Sequence, residues 1–210
     1  MLDILAARYA YKAYYEQDYH FPKTDTQVLI RRVRRNAVVS YRGSDRPLDW
    51  LANFSFTSTN VTPYRWKGTA RKIKVHRGMI AAYQSSREVL LDIIASIDCD
   101  RYLFTGHSLG GVLAAFAALD CQYNLGVDPI VRTFGAPDFG NKHFQESYNH
   151  RVPNTLGFIN PYDIVPELPM HLLGYKPIGS TVKVKRPWMF IDKFPFFDPH
   201  YMGEYLIRSS

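Results

Sequence analysis

The chain has 210 residues, of which 46% are hydrophobic and 21% are charged, as is typical of a single globular domain. No apolar run approaches the ~20 residues that a membrane-spanning helix needs, so we expect no transmembrane segment. The first residues lack the basic start, apolar core and cleavage site of a secretory signal, and we therefore expect a cytoplasmic location by default.

The formal net charge of +7 is concentrated in the N-terminal part of the chain. Residues 1–77 carry 15 lysines and arginines against 6 acidic residues, whereas residues 78–210 carry 11 against 13. This asymmetry suits contact with an anionic surface, and it equally suits a basic face that is only solvated. No zinc-ligand spacing or nucleic-acid recognition motif accompanies the basic run at Arg31, so we expect no nucleic-acid partner.

Hydrophobic periodicity predicts a helix and then a hairpin at the start of the chain. The helix, LDILAARYAYKAYYE, has one apolar face, which contains Leu2, Leu5, Ala6, Tyr9 and Ala13. The hairpin joins QVLIRRV to AVVSYRG, and its turn is predicted near Arg34, Arg35 and Asn36. Residues 43–69 are polar and aromatic in mixed order.

Strands and helices alternate in the rest of the chain. The strand ARKIKVH precedes a helix over residues 78–98, whose buried stripe is predicted to contain Ile80, Tyr83, Val89, Leu90, Ile93, Ile94 and Ile97. The elements after it are predicted as the strand DRYLFTGHS, the helix LGGVLAAFAALDCQY, the strand PIVRTFGAP, the helix NKHFQESYNH, the strands TLGFINPYDIV and STVKVKR, and the helix HYMGEYLIRS. This α/β order predicts a mostly parallel sheet with helices on both faces and with its chemistry at the carboxyl ends of the strands.

Two cysteines, Cys99 and Cys121, are too few for a disulfide framework and have no metal-ligand partners at fixed spacing. Buried free thiols are the default expectation. A strand over residues 101–106 and a descending helix over residues 109–123 would return both cysteines to the same end of the sheet. A bridge is therefore geometrically possible, although a reducing compartment disfavours it.

The stretch TGHSLGG, residues 105–111, lies at the junction of a predicted strand and a predicted helix. Within it, residues 106–110 match G-x-S-x-G, the pattern of a nucleophile elbow. Ser108 would project above the sheet on a sharp turn, and the glycines on either side remove side chains that would clash. The N-terminus of the helix would favour an oxyanion at Ser108. A glycine-rich turn that binds nothing is the alternative.

A serine nucleophile needs a base, and the base needs an acid that orients it. In this architecture the chain order is serine, acid, histidine. Asp138 and Asp163 are the acid candidates at strand ends. We favour Asp163, because it ends an apolar strand and opens a proline-rich loop, whereas Asp138 is expected to order its own turn.

His171 and His200 are the base candidates after the elbow, since His143 and His150 fall on or next to a polar helix. We favour His200, because it opens the last helix after the last strand, where a loop can bring the imidazole over the serine. His107 is expected to point away from the serine as a packed residue. The loop after an earlier strand is expected to provide the second oxyanion donor through Ser44.

The motifs YRGS, DWL, KVHRGM, TGHSLGGVLAA, FGAP, INPYDIVPELP and a late PHY occur in this order over nearly the whole chain. Together they resemble the class 3 lipase family, the fungal-lipase-like branch of the α/β-hydrolases. The resemblance implies an ester hydrolase, and we expect a single α/β-hydrolase domain over residues 1–210. The chemistry of a serine nucleophile requires no metal or organic cofactor. The resemblance also implies Ser108 as nucleophile, Asp163 as acid, His200 as base, and Ser44 with the N–H group of Leu109 as the oxyanion hole.

Two departures from the family pattern affect this expectation. Asn53 stands where family members often carry an acidic residue, so the hydroxyl of Ser44 would be oriented by a neutral amide. The chain is also short beside the secreted fungal enzymes, which limits a lid to about residues 45–66.

Aromatic residues on both sides of the core could form the walls of an acyl-binding mouth or could pack in the core. The lid and acyl-binding candidates are Trp50, Leu51, Phe54 and Trp66, and a second group extends from Trp188 to Phe197. Basic residues beside them could approach anionic lipid head groups; these are Lys67, Arg71, Lys185, Arg186 and Lys193.

A lipase acting on triacylglycerol or related acylglycerols is the favoured function. A phospholipase A or an esterase for soluble substrates would use the same three catalytic residues, because pocket shape decides between them. Outside the enzymes, the alternative is an inert module that binds membranes or nucleic acid through its basic N-terminal half.

Overall fold

The computed structural model describes residues 2–44, 57–61, 72–161, 163 and 174–184. The helices in these ranges are α1 (Leu2–Lys12), α2 (Arg77–Ser96), α3 (Leu109–Leu125) and α4 (Lys142–Arg151). The strands are β1 (Tyr19–Phe21), β2 (Thr26–Val33), β3 (Asn36–Tyr41), β4 (Ser58–Asn60), β5 (Lys74–His76), β6 (Arg101–His107), β7 (Pro129–Phe134), β8 (Thr155–Ile159) and β9 (Ser180–Lys183). None of the described helices is both long and apolar enough to cross a bilayer.

Seven of these strands form one sheet in the order β1-β2-β3-β6-β7-β8-β9. The five strands from β3 to β9 in this order run parallel, and only β1 and β2 are antiparallel to their neighbours. Helices lie in three of the connections between parallel strands: α2 precedes β6, α3 joins β6 to β7, and α4 joins β7 to β8. The predicted mostly parallel sheet is therefore confirmed.

The two faces of the sheet bury different helices, because successive side chains of a strand point to opposite sides. Val38 and Leu103 are paired in register and pack in one apolar cluster with α1. Their chain neighbours, Val39 and Phe104, pack in a second cluster with α2 and α3. Helices therefore cover both faces of the sheet, as the sequence predicts.

The contact face of α1 differs in part from the predicted one. The fully buried residues of the helix are Ala6, Ala7 and Ala10, and Ala13, which directly follows the helix, is buried as well. Leu2, Leu5 and Tyr9 are only partly buried at the edge of the cluster. Alanines allow the helix axis to lie close to the sheet, and the larger side chains are then displaced to the sides. The predicted helical period was correct, but the centre of the buried face lies at the alanines and not at the larger apolar residues.

The predicted basic hairpin is formed by β2 and β3, and its turn lies at Arg34 and Arg35. Arg35 forms an ion pair with Asp100, which precedes β6. Because Asn36 pairs with Arg101 at the start of two parallel strands, this turn lies at the amino end of the sheet. The six residues of β3 separate it from the carboxyl end by roughly 20 Å.

The strand predicted from ARKIKVH does not join the main sheet. Its described part, β5, pairs antiparallel with β4 in a separate two-stranded sheet. β4 lies within the predicted lid, residues 45–66, so part of that segment is a short strand held against β5. Residues 45–56 and 62–66 of the predicted lid, including Trp50, Leu51, Phe54 and Trp66, lie outside the described residues.

The helix α2 follows most of its predicted stripe. Ile80, Tyr83, Leu90 and Ile94 are buried as expected, whereas Val89 is 38% exposed. Ile93 and Ile97 are only partly buried. Met79, Ala82 and Ser86 are buried as well. Ser86 is polar and was not counted in the stripe, yet its hydroxyl lies 3.1 Å from the hydroxyl of Tyr41 in the core.

A partly buried ion pair joins α2 to α3. The carboxylate of Asp120 is fully buried and lies 2.6 Å from Nε of Arg87. It also accepts a 2.6 Å hydrogen bond from the hydroxyl of Tyr83 and a 2.7 Å hydrogen bond from the side-chain amide of Asn124. These partners compensate the carboxylate for its lost hydration.

Replacement of Asp120 by alanine is expected to lower the free energy of unfolding by about 2 kcal/mol. Arg87 would lose its carboxylate partner and Tyr83 its acceptor. Because the Arg87 side chain is 36% exposed, water would offset part of the loss. Urea unfolding followed by circular dichroism measures the change. Asp92→Ala, at an exposed position of α2, is the control and should change stability by less than about 0.5 kcal/mol. Equal losses in the two variants would contradict the argument.

Both cysteines are free thiols in the structure. Cys121 is buried in α3, and burial raises the pKa of its thiol far above the ordinary value. Cys99 is partly exposed just before β6. The bridge that the sequence left open is therefore not formed.

Candidate active site

Ser108 occupies a sharp turn between β6 and α3. Its backbone has φ 55° and ψ −126°, a strained conformation for a residue with a side chain. Its N–H group donates a 2.8 Å hydrogen bond to the carbonyl of Phe134, and its carbonyl accepts a 3.0 Å bond from the N–H group of Gly111. These bonds tie the turn both to β7 and to the first turn of α3, so the strained conformation is maintained by its surroundings.

Glycines around Ser108 allow the backbone to approach other segments closely. A Cβ atom on Gly106 would lie 2.7 Å from the nitrogen of Gly111 and closer still to the carbonyl group of Gly110. A Cβ atom on Gly110 would lie 2.8 Å from the carbonyl carbon of Arg42 and would overlap the carbonyl oxygen of Tyr41. Gly110 therefore allows α3 to begin directly against the end of β3.

The loop after β3 carries Ser44, which the sequence predicts as an oxyanion donor. Because Gly110 packs on Tyr41 and Arg42, this loop lies beside the first turn of α3, which carries Leu109. Gly43 is buried and Ser44 is partly exposed. The side chain of Ser108 does not cap α3, so it occupies none of the N–H groups at the start of the helix. Two potential sources of oxyanion donors thus lie at the same end of the sheet.

Asp163 follows β8 at the carboxyl end of the sheet, which is also the end that carries Ser108. It is 1% exposed, and its N–H group donates a 2.9 Å hydrogen bond to the carbonyl of Asn160 in a tight turn. Asp138 follows the neighbouring strand β7 and is 9% exposed. Both carboxylates are thus withdrawn from solvent at the edge where the sequence predicts chemistry.

Five histidines lie in the described part of the chain, and most of them have partners away from Ser108. His20 pairs with Asp25 at 2.9 Å, His143 lies 3.3 Å from Glu146, and His150 is exposed on α4. His76 begins α2. Burial lowers its pKa, which favours the neutral ring, and its Nδ1 accepts a 3.4 Å bond from the N–H group of Met79.

His107 precedes Ser108, and its ring is almost fully buried. Its Nδ1 lies 2.7 Å from the hydroxyl of Tyr14, in the turn after α1. The sequence contains no signal for this pair, because 93 positions separate the two residues. His171 and His200, the two base candidates, lie outside the described residues. Within the described ranges, no three His, Cys, Asp or Glu side chains are grouped to hold a metal ion.

Comparison with known proteins shows to which family this site belongs. The sequence profile of Lipase (class 3) matches residues 38–173, which include most of β3, the Ser108 turn and Asp163. The chain belongs to the class 3 lipase family. This membership accounts for the order of its motifs along the chain.

Curated relatives in the class 3 lipase family include enzymes with different names. The chain is 28% identical over 185 residues to a chloroplastic phospholipase A(1) of Arabidopsis thaliana, and the match covers 79% of this chain and 41% of that protein. It is 29% identical over 169 residues to the lipase of Rhizomucor miehei, covering 74% of this chain and 44% of the relative. The chain thus spans less than half the length of these curated relatives.

Solved structures confirm the α/β-hydrolase fold of this member of the class 3 lipase family. The lipase from Rhizopus microsporus var. chinensis superposes with a TM-score of 0.74 at 24% identity, covering 89% of this chain and 74% of that chain. A triacylglycerol lipase in which a serine protease triad forms the catalytic centre superposes with a TM-score of 0.68 at 26% identity, covering 78% and 63%.

Proposed function

We propose that the chain is a serine carboxylic ester hydrolase that acts on lipid esters. The observation that carries the proposal is the strained backbone of Ser108 between a buried parallel strand and the N-terminus of α3. Such a turn exposes a serine hydroxyl to a substrate above the sheet. The names of its class 3 relatives, a phospholipase A(1) and a lipase, support lipid esters as the substrate class.

In the proposed mechanism, the hydroxyl oxygen of Ser108 attacks the ester carbonyl while His200 accepts its proton. Asp163 orients the imidazole and stabilises its charged form. The N–H group of Leu109 and the donors of Ser44 hold the oxyanion of the tetrahedral intermediate. The intermediate then collapses, the alcohol leaves with the proton from His200, and the acyl group remains on Ser108. Water repeats the sequence and releases the fatty acid.

The described residues support the electrostatic part of this mechanism. The helix α3 is 17 residues long, and its N-terminal N–H groups and positive dipole end face the Ser108 turn. The contact of Gly110 with Tyr41 and Arg42 keeps the Ser44 loop beside this terminus. Donors that are already in place when charge develops cost little reorganisation, and one such donor typically accounts for ~10²–10³ in turnover.

Acylglycerols are the favoured substrates, and phospholipids are the alternative. Both are consistent with the relatives, which include a secreted mono- and diacylglycerol lipase of Fusarium solani as well as phospholipases A(1). We further propose that basic residues near the mouth contact anionic lipid. Arg34 and Arg35 are poor choices for this contact, because their turn lies at the opposite end of the sheet from Ser108.

Labelling with a fluorophosphonate probe and a panel of esters tests the proposal. The purified chain should react with the probe at Ser108 and should hydrolyse a soluble short-chain ester. It should also hydrolyse the lipid of a triacylglycerol emulsion, of phosphatidylcholine vesicles, or of both. The relative rates on the last two substrates distinguish a lipase from a phospholipase. Addition of phosphatidylglycerol to the vesicles tests the anionic contact, and substitution of both Arg34 and Arg35 by glutamine should leave that response unchanged.

Two outcomes would contradict the proposal. Absence of both labelling and hydrolysis near neutral pH would favour an inert binding module. Labelling without any preference for aggregated over monomeric esters, together with no response to phosphatidylglycerol, would leave an esterase for soluble substrates and would remove the lipid contact.

A further inference from the structure

The turn after α1 brings a tyrosine next to the residue before the proposed nucleophile. The hydroxyl of Tyr14 lies 2.7 Å from Nδ1 of His107, and the two ring centroids are 5.9 Å apart. His107 is 3% exposed and Tyr14 is partly buried, so this hydrogen bond is shielded from water on the His107 side. A partly buried hydrogen bond between segments so distant in sequence restrains their relative position.

Tyr14 also contacts the loop that carries Ser44. A Cβ atom on Gly43 would lie 2.5 Å from the carbonyl oxygen of His107, and it would overlap the hydroxyl of Tyr14. The guanidinium carbon of Arg42 lies over the Tyr14 ring, 5.8 Å from its centroid. One phenol side chain therefore touches both the loop after β3 and the last residue of β6.

These two contacts matter because the two parts of the proposed oxyanion hole are separate in the chain. Ser44 belongs to the loop after β3, whereas Leu109 follows Ser108 at the start of α3. Oxyanion stabilisation depends on both donors lying about 2.7–3.1 Å from one oxygen, so a small change in their separation is costly. The Tyr14 side chain is bonded to His107, two residues before Leu109, and packs on Gly43, next to Ser44, so it restrains that separation.

We propose that Tyr14 is a positioning residue for ester hydrolysis, which holds the Ser44 loop against the Ser108 turn through its hydrogen bond to His107. This inference rests on the proposed hydrolase function. Tyr14 does not touch the reacting atoms in this role. It acts through Gly43 and His107, and it makes the N-terminal segment part of the catalytic apparatus.

Tyr14→Phe removes the hydroxyl but keeps the ring that packs against Arg42. With a soluble short-chain ester, we expect kcat to fall about 10-fold, as for the loss of one hydrogen bond, and KM to change less than twofold. The rate of fluorophosphonate labelling should fall by the same factor, because labelling also develops negative charge on an oxygen in the oxyanion hole. Tyr15→Phe is the matched control, since Tyr15 is the next residue and its side chain is 68% exposed.

The variant His107→Gln and the double variant test whether the two residues act together. The double variant should lose no more activity than the more affected single variant, because both substitutions break the same hydrogen bond. Activities are normalised to the folded fraction from thermal unfolding, so that a loss of stability is not counted as a loss of catalysis.

The outcomes separate this inference from the function on which it rests. An inactive wild-type chain would overturn both. An active wild-type chain whose Tyr14→Phe variant keeps its kcat, or changes only KM, would overturn the positioning role alone. Additive losses in the double variant would likewise overturn it.

Discussion

Replacement of Ser108 by alanine is expected to reduce ester turnover by about 10⁶-fold, to the limit of detection, because no other group would form the acyl-enzyme. The fold should persist, since the side chain of Ser108 does not cap α3 and alanine has the same Cβ atom. Initial rates on a soluble ester, together with circular dichroism spectra, measure both effects. Full activity in Ser108→Ala would exclude Ser108 as the nucleophile.

Ser108→Gly provides a control that separates strain from chemistry. The backbone at this position has φ 55° and ψ −126°, and a side chain there costs of order 1–3 kcal/mol. Glycine relieves this strain but loses more conformational freedom on folding. We therefore expect Ser108→Gly to be inactive and about 1 kcal/mol more stable than Ser108→Ala in urea unfolding. Equal stability of the two variants would show that the turn is not strained.

Gly110→Ala is expected to lower the free energy of unfolding by about 3 kcal/mol, the upper end of the usual cost of overpacking. The new methyl group would overlap the carbonyl oxygen of Tyr41 and would lie 2.8 Å from the carbonyl carbon of Arg42. These are backbone atoms, so no side-chain rotation can relieve the overlap. A displacement of the Ser44 loop by about 1 Å would also reduce turnover by roughly 10²-fold in the molecules that remain folded.

Gly126→Ala is the matched control for this prediction. Gly126 is the C-cap of α3 and has φ 68°, and no atom lies within 4 Å of the position that a Cβ would occupy. Alanine there should cost about 1 kcal/mol from the left-handed backbone alone and should leave kcat unchanged. Similar effects of the two substitutions on turnover would contradict the argument that Gly110 sets the distance between α3 and the Ser44 loop.

Several elements were predictable because local periodicity encodes them. The apolar run of β6 and the apolar, alanine-rich sequence of α3 are both visible in the sequence, and the serine between glycines lies at their junction. The hairpin of β2 and β3 follows from two strand-like runs around a polar turn. For the same reason, the edge of the sheet at which Ser108 and Asp163 lie could be predicted from the order of elements.

Other features depend on contacts that leave no periodic trace. β5 resembles a sheet strand by its alternation, but it pairs with β4 outside the main sheet. Periodicity shows which residues share a face, but it does not identify the partner strand. The buried centre of α1 consists of alanines, since the distance between helix and sheet determines which side chains fit.

By itself, the sequence determined the α/β class, the position of the nucleophile elbow and the family, because each depends on residues that are near neighbours in the chain or on the order of motifs. Only the tertiary structure decided that Gly110 packs on β3 and that Tyr14 bonds to His107. Those contacts join segments tens of residues apart, and their geometry arises from the packing of α1 and α3 on opposite faces of one sheet.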